Sequence, residues 1–465
     1  MKNFPSIIFL FLALTLNAQN YKPNWESLDA RPVPGWFQDS KFGIFIHWGV
    51  YSVPAWGPTG DSIAVYDRYA EWYWRKMIEP GKVQKYFKDY HTKTYGPNFR
   101  YQDFAPMFKA ELFDPAKWAD LFKESGAKYV VLTSKHHEGF ALWPSAQSWN
   151  WNSVDVGPHR DLCGDLSKAV KNKGLHMGFY YSLYEWYNPT YLTDFPAYVN
   201  EHMIPQMKDL VTRYTPDILW TDGEWDRPSK DWKSEEFLSW LYNESPVRDN
   251  VVVNDRWGSE TRSKHGGIFT TEYGLVGDKE GNVNAVMHPW EECRGIGTSF
   301  GLNRTEGLSD YSTATQLIKL LVSTVAAGGN LLLDIGPAAD GTIPVIMQQR
   351  LLELGKWLKI NGEAIYDTRA FIKTKKSEEI NGETNKSIFF TRKNKEIYII
   401  CLNWPAKEIV LKGVTPVSNL KIALLGTDKL PSVKESGGNL YITAPLLTPD
   451  DNQIAYVFKV SGLLK

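Results

Sequence analysis

Cysteine is nearly absent: Cys163, Cys293 and Cys401 are the only three in 465 residues. An odd, sparse set excludes a disulfide framework, so stability has to come from a large core, although one pair could still bridge. A surplus of one charge is missing as well. With 52 Lys and Arg against 53 Asp and Glu, the net charge is −1, so no global field draws nucleic acid or an anionic membrane surface. Bilayer-length apolar runs are lacking too. The run Ile7-Ile-Phe-Leu-Phe-Leu-Ala-Leu14 is too short to span a membrane, and no other segment is apolar enough. No repeat or low-complexity tract interrupts the chain.

The short run has another reading. Met1-Lys2-Asn3 precedes it and Leu16-Asn17-Ala18-Gln19 follows it, the pattern of a secretory signal peptide with a small residue at the cut. Residues 1–18 are therefore expected to be removed, with the mature chain starting near Gln19 in a periplasmic or extracellular setting. No cysteine follows the cut, so a lipid anchor is not expected. Sequons at Asn243, Asn303 and Asn385 are short triplets that decide nothing.

What the chain does have is aromatic residues, 19 Trp and 24 Tyr, concentrated before position 310. Large cores use tryptophan, and so do sugar-binding clefts. It also has alternation. Apolar runs at 42–49, 129–133, 177–182, 218–222, 251–257 and 268–273 mostly end in polar residues or tryptophan; a seventh is expected within 287–300, and the last covers 330–335. Amphipathic segments separate most of them. Asp114-Pro115 caps one such segment, with Trp118, Leu121 and Phe122 on one face and Gly126 as its stop. Residues 161–173 repeat the device. Eight units over roughly three hundred residues predict a parallel sheet closed into a (β/α)8-like (TIM-type) barrel. An insertion after the first run, through Trp56, Glu71-Trp72 and Tyr101, either covers the core or walls a cleft.

After a helix over 347–358 the texture changes. Short runs at 388–391, 396–402, 420–425, 439–443 and 454–459, separated by Gly-, Asn- and Pro-bearing turns, predict a C-terminal antiparallel β-sandwich. The expected organisation is a signal peptide over 1–18, a barrel over 19–367 and the sandwich over 368–465, with the boundary near 368–374. Trp404 is the sandwich's lone tryptophan and exposed-type aromatics are few, so the sandwich is expected to pack against the barrel rather than to bind glycans.

The stretch Pro216-Asp-Ile-Leu-Trp-Thr-Asp-Gly-Glu-Trp-Asp226 centres the chemistry. In such a barrel strand interiors pack, while residues at the C-terminal tips face the open mouth. That puts Asp222 at the rim of a pocket between Trp220 and Trp225. A carboxylate among rings suits a sugar, whose C–H faces stack on aromatics while its hydroxyls need polar partners. Other run ends carry His47, His136, His137, Tyr181, Arg256 and Glu272. Two carboxylates on different tips are what a retaining glycosidase needs, one to attack the anomeric carbon and one to protonate the leaving oxygen, about 5 Å apart. Asp222 and Glu272 would face each other across the mouth.

These residues add up to a resemblance. Phe42-Gly-Ile-Phe-Ile-His-Trp-Gly49, Glu71-Trp72, Lys135-His-His-Glu-Gly-Phe140, Gly178-Phe-Tyr-Tyr-Ser182, Leu219-Trp-Thr-Asp-Gly223, Asn254-Asp-Arg-Trp-Gly258, Thr271-Glu-Tyr273, Trp290-Glu-Glu-Cys293 and Gly328-Gly-Asn-Leu-Leu-Leu-Asp-Ile-Gly-Pro337 follow one another in order. Over 36–366 the chain resembles an α-L-fucosidase of glycoside hydrolase family 29. The resemblance implies an exo-acting, retaining enzyme that removes terminal fucose through a covalent fucosyl-enzyme. It makes Asp222 the nucleophile and Glu272 the acid/base, with Glu291 as the alternative acid/base. It places sugar contacts on His47, Glu71, Trp72, His136, His137, Tyr181, Trp220, Arg256 and Phe300. It implies a fucosylated glycan or oligosaccharide as the partner, and no cofactor.

Other readings stay open. The same barrel could cleave a related sugar such as an α-L-galactoside, which carries a hydroxyl where fucose has its methyl, or could bind fucose without turnover. His136-His137-Glu138 has the composition of a metal site, but neighbours on a strand point to opposite faces, so no metal is expected. Glu224 and Asp226 are expected to hold their loop, Asp255 and Glu292 to be structural or solvent-facing, and Asp340-Gly341 to turn the chain.

Overall fold

The computed structural model describes residues 20–273, 288–371, 388–405, 408–413, 419–448 and 453–463. The expected signal peptide, Asn385 and part of the expected domain boundary lie outside these residues. Eight strands form the first sheet: β1 (Phe42–Ile46), β2 (Tyr129–Lys135), β3 (His176–Ser182), β4 (Ile218–Asp222), β5 (Val252–Val253), β6 (Phe269–Glu272), β7 (Trp290–Gly295) and β8 (Asn330–Ile335). Their order is β5-β4-β3-β2-β1-β8-β7-β6, every pairing parallel. A parallel bridge between Asn254 and Ile268 brings the two edges together. There Ile268 N–H donates to the Val253 carbonyl at 2.9 Å, and the curled sheet becomes a barrel.

The helices start where sequence chemistry places them. Asp114 accepts from the backbone N–H groups of Ala116 and Lys117 ahead of the helix Pro115–Glu124. Asp161 caps Leu162–Asn172, and Thr313 exchanges bonds with Gln316 at the start of Ala314–Ala326. Each satisfies N–H groups that a first turn leaves without partners. Apolar side chains between strands and helices form the outer core, and a second cluster that includes Phe45, Tyr129, Val131, Tyr180, Trp220 and Leu332 fills the barrel interior. The interior is therefore packed, and only its upper end can hold a ligand.

One expected strand is far shorter than its apolar run. The run 251–257 yields only the two residues of β5. Asn254 takes over where the ladder stops: its Oδ1 accepts from Thr221 N–H (3.2 Å) and Thr221 Oγ1 (2.8 Å), and its Nδ2 donates to the Thr221 carbonyl (2.7 Å). The side-chain amide thus pairs both backbone groups of Thr221, as a strand would. The chain is then free to turn, and Arg256 can enter the barrel mouth. The Trp-rich insertion does two jobs. Trp56 stacks on Tyr90 and Trp74 on Tyr101 as packing, while Tyr69 and Trp72 reach the mouth.

The C-terminal part holds two antiparallel sheets. The larger contains β9 (Arg369–Ala370), β10 (Ile388–Lys393), β11 (Glu396–Cys401), β13 (Lys421–Leu424) and β16 (Tyr456–Ser461); the smaller contains β12 (Ile409–Leu411), β14 (Ser432–Ser436) and β15 (Asn439–Thr443). Strands β12 and β14 were not legible, because the first is three residues long and the second is exposed throughout, so neither shows alternation. This part docks on the barrel through the helix Val345–Asn361, where Trp357 donates to the Ala455 carbonyl at 2.9 Å. Thr391 also donates to the Ala364 carbonyl at 2.7 Å. Trp404 packs edge-on to Tyr456 within the sandwich's own core. All three cysteines are buried and free. Among the described residues no helix is long and apolar enough to cross a membrane.

The seam makes a prediction. Asn254→Ala strips the partners from two buried backbone groups of Thr221, each worth about 1–3 kcal/mol when left unpaired. Its thermal-unfolding midpoint should fall clearly below that of the wild type; an unchanged midpoint would show that the barrel closes without this amide.

Candidate active site

A cavity of about 350 Å³ opens at the C-terminal ends of the strands. Alternation along β4 turns Ile218, Trp220 and Asp222 toward the barrel axis, with Asp222 last. Gly223 then turns the chain at φ +78, and a Cβ there would meet Tyr184 Cβ at 2.7 Å, so glycine is required. Asp222 is almost fully enclosed. Its Oδ1 accepts from Arg256 Nη1 at 2.7 Å, with Arg262 Nη2 at 3.6 Å. Its Oδ2 accepts from the Tyr180 hydroxyl at 3.0 Å, with His137 Nε2 at 3.7 Å. Burial alone would raise its pKa, but the Arg256 guanidinium, with Arg262 behind it, outweighs burial and holds the carboxyl well below the usual range.

Glu272, at the tip of β6, shares the cavity. Its Oε1 accepts from Tyr69 at 3.1 Å, and its Oε2 lies 3.5 Å from Arg256 Nη2. One guanidinium thus stands between the two carboxylates. Arg256 is itself fixed. Its Nε donates to Thr270 Oγ1 at 3.0 Å, that hydroxyl donates to Asp255 Oδ1 at 2.7 Å, and the guanidinium carbon lies 4.4 Å from the Trp220 ring centroid. Asp255 also accepts from Ser263 N–H, so it braces the site from behind. Glu224 accepts from Arg262 Nε at 2.5 Å, and Asp226 accepts from Tyr191 at 3.1 Å.

Opposite the carboxylates stand His47, His136 and His137. His47 Nδ1 lies 2.6 Å from Asp334 Oδ1, and burial pushes this histidine well below its usual pKa. His137 Nδ1 meets Ser182 Oγ at 2.6 Å, while that hydroxyl donates to the Tyr184 carbonyl at 2.6 Å. Because the only hydroxyl proton goes to a carbonyl, Ser182 accepts from Nδ1–H. Burial, first among the causes, keeps the His137 ring neutral, so Nε2 presents a lone pair to the cavity. Glu71 accepts from Ser299 Oγ at 3.1 Å and Gly301 N–H at 2.9 Å; burial outweighs these bonds and His136, and pushes it up to about 7. Trp72 and Phe300 line the cavity with their rings.

Three expectations need correcting. Tyr181 does not face the cavity: it follows inward-facing Tyr180 on β3, so its hydroxyl donates to Gln206 at 2.8 Å behind the strand. Tyr180 takes the place expected of it. His136 and His137 do not point to opposite faces. The register of β2 on β3 shifts between Thr133 and Lys135, and both residues follow the strand end in a turn, so both rings line the cavity 4.2 Å apart. Glu291 does not reach the cavity. It points inward from β7 one layer below Cys293, where Tyr129 and Trp220 Nε1 (3.1 Å) donate to it and burial pushes it up to about 7.

Tyr69, Arg262 and Asp334 belong to the arrangement and were not singled out for it. Tyr69 could have been suspected from its neighbours Glu71 and Trp72. Asp334 had only a strand position to recommend it, and Arg262 sits in an irregular segment whose pattern carries no signal. The remaining sugar contacts named from sequence are brought together in this one cavity: His47, Glu71, Trp72, His136, His137, Trp220, Arg256 and Phe300.

Comparison with known proteins follows the same lines. Residues 8–363 match the family described as Alpha-L-fucosidase, and residues 381–461 match the Alpha-L-fucosidase C-terminal domain. The chain is 44% identical to the alpha-L-fucosidase of Dictyostelium discoideum, over 98% of this chain and 99% of that protein. It is also 44% identical to the tissue alpha-L-fucosidase of Homo sapiens, over 96% and 92%. Among solved structures, the Thermotoga maritima alpha-fucosidase in complex with a mechanism based inhibitor superposes with a TM-score of 0.79 at 40% identity, covering 95% of this chain and all of that one. A barrel with two carboxylates on one arginine and a matching C-terminal domain converge on one conclusion: the chain belongs to the α-L-fucosidase family, glycoside hydrolase family 29, and is a fucosidase.

Proposed function

We propose that the enzyme releases terminal α-L-fucosyl residues from glycans by double displacement, with Asp222 as nucleophile and Glu272 as acid/base. The observation that carries the reading is the division of labour around Arg256. The guanidinium lies 2.7 Å from Asp222 and 3.5 Å from Glu272, so it favours ionisation of Asp222 more strongly. In the first step an Asp222 oxygen forms a bond to the anomeric carbon as the C1–O bond breaks. The leaving oxygen takes the Glu272 proton. In the second step the Glu272 carboxylate accepts a proton from water, the water oxygen bonds to C1, and Asp222 leaves as a carboxylate. The anomeric configuration is inverted twice and so retained. That the Thermotoga maritima relative was captured with a mechanism based inhibitor fits covalent chemistry in this fold.

The histidines suit the sugar. The His137 Nε2 lone pair faces Asp222 at 3.7 Å, and two acceptors at that spacing need a donor between them. A sugar hydroxyl supplies one. Tyr180, which donates to Asp222, stands where Tyr181 was expected, and the rings of Phe45, Trp220 and Phe300 give the C6 methyl an apolar surface. An α-L-galactoside would have to bury a hydroxyl against that surface. Glu291, below the floor, already has two donors and no route to a leaving oxygen, so its raised pKa does not make it the acid.

Proton NMR of the sugar first released from an aryl α-L-fucoside tests the mechanism: α-fucose is expected, and β-fucose as the initial product would remove Asp222 from its role. Glu272→Ala should lose about 10²–10⁴ in kcat on substrates with poor leaving groups and much less on activated aryl fucosides. Azide should restore turnover of the latter and yield α-fucosyl azide. If Glu291→Ala behaves this way and Glu272→Ala does not, the acid/base assignment is wrong. The pH profile tests the arginine. Arg256→Met removes the largest influence that lowers the Asp222 pKa, so that pKa rises and the acid limb of kcat/KM moves to higher pH. A limb that stays in place would mean that Arg256 does not keep Asp222 ionised.

A further inference from the structure

The cavity accounts for one sugar, but a glycosidase must also place the group that leaves. The acid marks the side on which it leaves, because the proton on Glu272 has to reach the glycosidic oxygen. This step rests on the assignment of Glu272 given above. From Glu272 the contacts run outward in one direction. Its Oε1 accepts from Tyr69, and Tyr69 packs edge-to-face on Tyr66 with centroids 5.5 Å apart. Tyr66 lines the same cavity and yet is 58% exposed. Part-burial and the nearby Glu272 carboxylate both raise its phenol, in keeping with a place beside the acid.

An isolated exposed ring is ordinary on a protein surface. Tyr66 differs in being held. It sits in the single turn Val65–Asp67, in which Asp67 N–H donates to Ala64 and Arg68 N–H to Val65. The turn is anchored on both sides, by Lys76 Nζ on Asp67 (2.6 Å) and by Arg68 Nε on the Ile63 carbonyl (2.8 Å). A ring fixed at the mouth costs little further entropy when a ligand stacks on it. The other exposed ring at the mouth, Trp225 at 38%, lies on the far side. Its neighbours are Trp72, His137 and Tyr184, which do not touch Glu272.

We infer that Tyr66 is the platform of a leaving-group subsite, on which the ring of the departing pyranose stacks while Glu272 protonates its oxygen. It would act on the leaving group alone: a substrate with a ring to lose gains from Tyr66, and one that loses a single atom does not.

The test compares α-L-fucosyl fluoride, which loses one atom, with 4-nitrophenyl α-L-fucoside and a fucosyl-galactose disaccharide, which lose rings. Tyr66→Ala should lose about tenfold more kcat/KM on the ring-bearing substrates than on the fluoride. Tyr66→Phe, which keeps the ring, should restore most of the difference. An equal loss on all three, no loss on any, or the same selective loss in Trp225→Ala but not Tyr66→Ala overturns the inference. Glu272→Ala separates the two levels: kcat/KM lost on the disaccharide and kept on the fluoride leaves the acid in place, so that only the subsite is in question, whereas an equal loss on both removes the acid on which the inference rests.

Discussion

The guanidinium of Arg256 is the piece on which the rest of the site depends. Burying a carboxylate without compensation costs several kcal/mol, and two in one cavity repel each other as well. Arg256 answers both problems by standing between Asp222 and Glu272. It can do so only because Thr270, backed by Asp255, holds one edge and the Trp220 ring supports its face. Its entry to the mouth requires a strand that stops early. The two-residue β5 and the Asn254 amide that replaces its missing ladder are therefore part of the catalytic design as much as of the fold.

Depth in the barrel then sorts chemically similar groups into different work. Asp222 and Glu272 lie in the top layer, where a substrate can reach them. Glu291 points the same way from β7, but one layer lower, between Tyr129 and Trp220. It supports the indole on which Arg256 rests. Glu71 belongs to the wall contributed by the insertion after β1, where Ser299 and Gly301 hold it. Glu71 and Glu291 are both pushed to about 7 by burial, while nearby cations hold Asp222 far lower. A raised pKa is thus a mark of burial rather than of access to the cavity, which Glu71 lines and Glu291 does not reach.

Much of the fold was legible because its signals are local. Asp114, Asp161 and Thr313 start helices whichever neighbours they meet, since capping involves only the next few residues. Six of the eight strands follow from apolar runs with polar ends, and β7, with the sequence Trp-Glu-Glu-Cys-Arg-Gly, falls inside the span expected to hold a seventh. The failures occur where pairing is not local. β5 is cut short by a side chain that substitutes for its ladder, β12 is too brief for a pattern, and β14 has no buried face to produce one. The two-sheet arrangement of the C-terminal part was nevertheless readable from its remaining strands.

The candidate site divides in the same way. The sequence by itself determined that Asp222, Glu272 and the histidines stand at or just past strand ends, because a period of two and a polar stop need no partner to be recognised. It could not choose between Tyr180 and Tyr181, since adjacent residues exchange faces with any one-residue shift in phase. A register shift in β2 brought His136 and His137 to the same side. Tertiary structure alone decided that Glu291 lies too deep, that Asp334 holds His47, and that Tyr66 packs on the tyrosine bonded to Glu272. Each of those facts is a distance between segments far apart in the chain, and such distances are fixed only when the barrel closes.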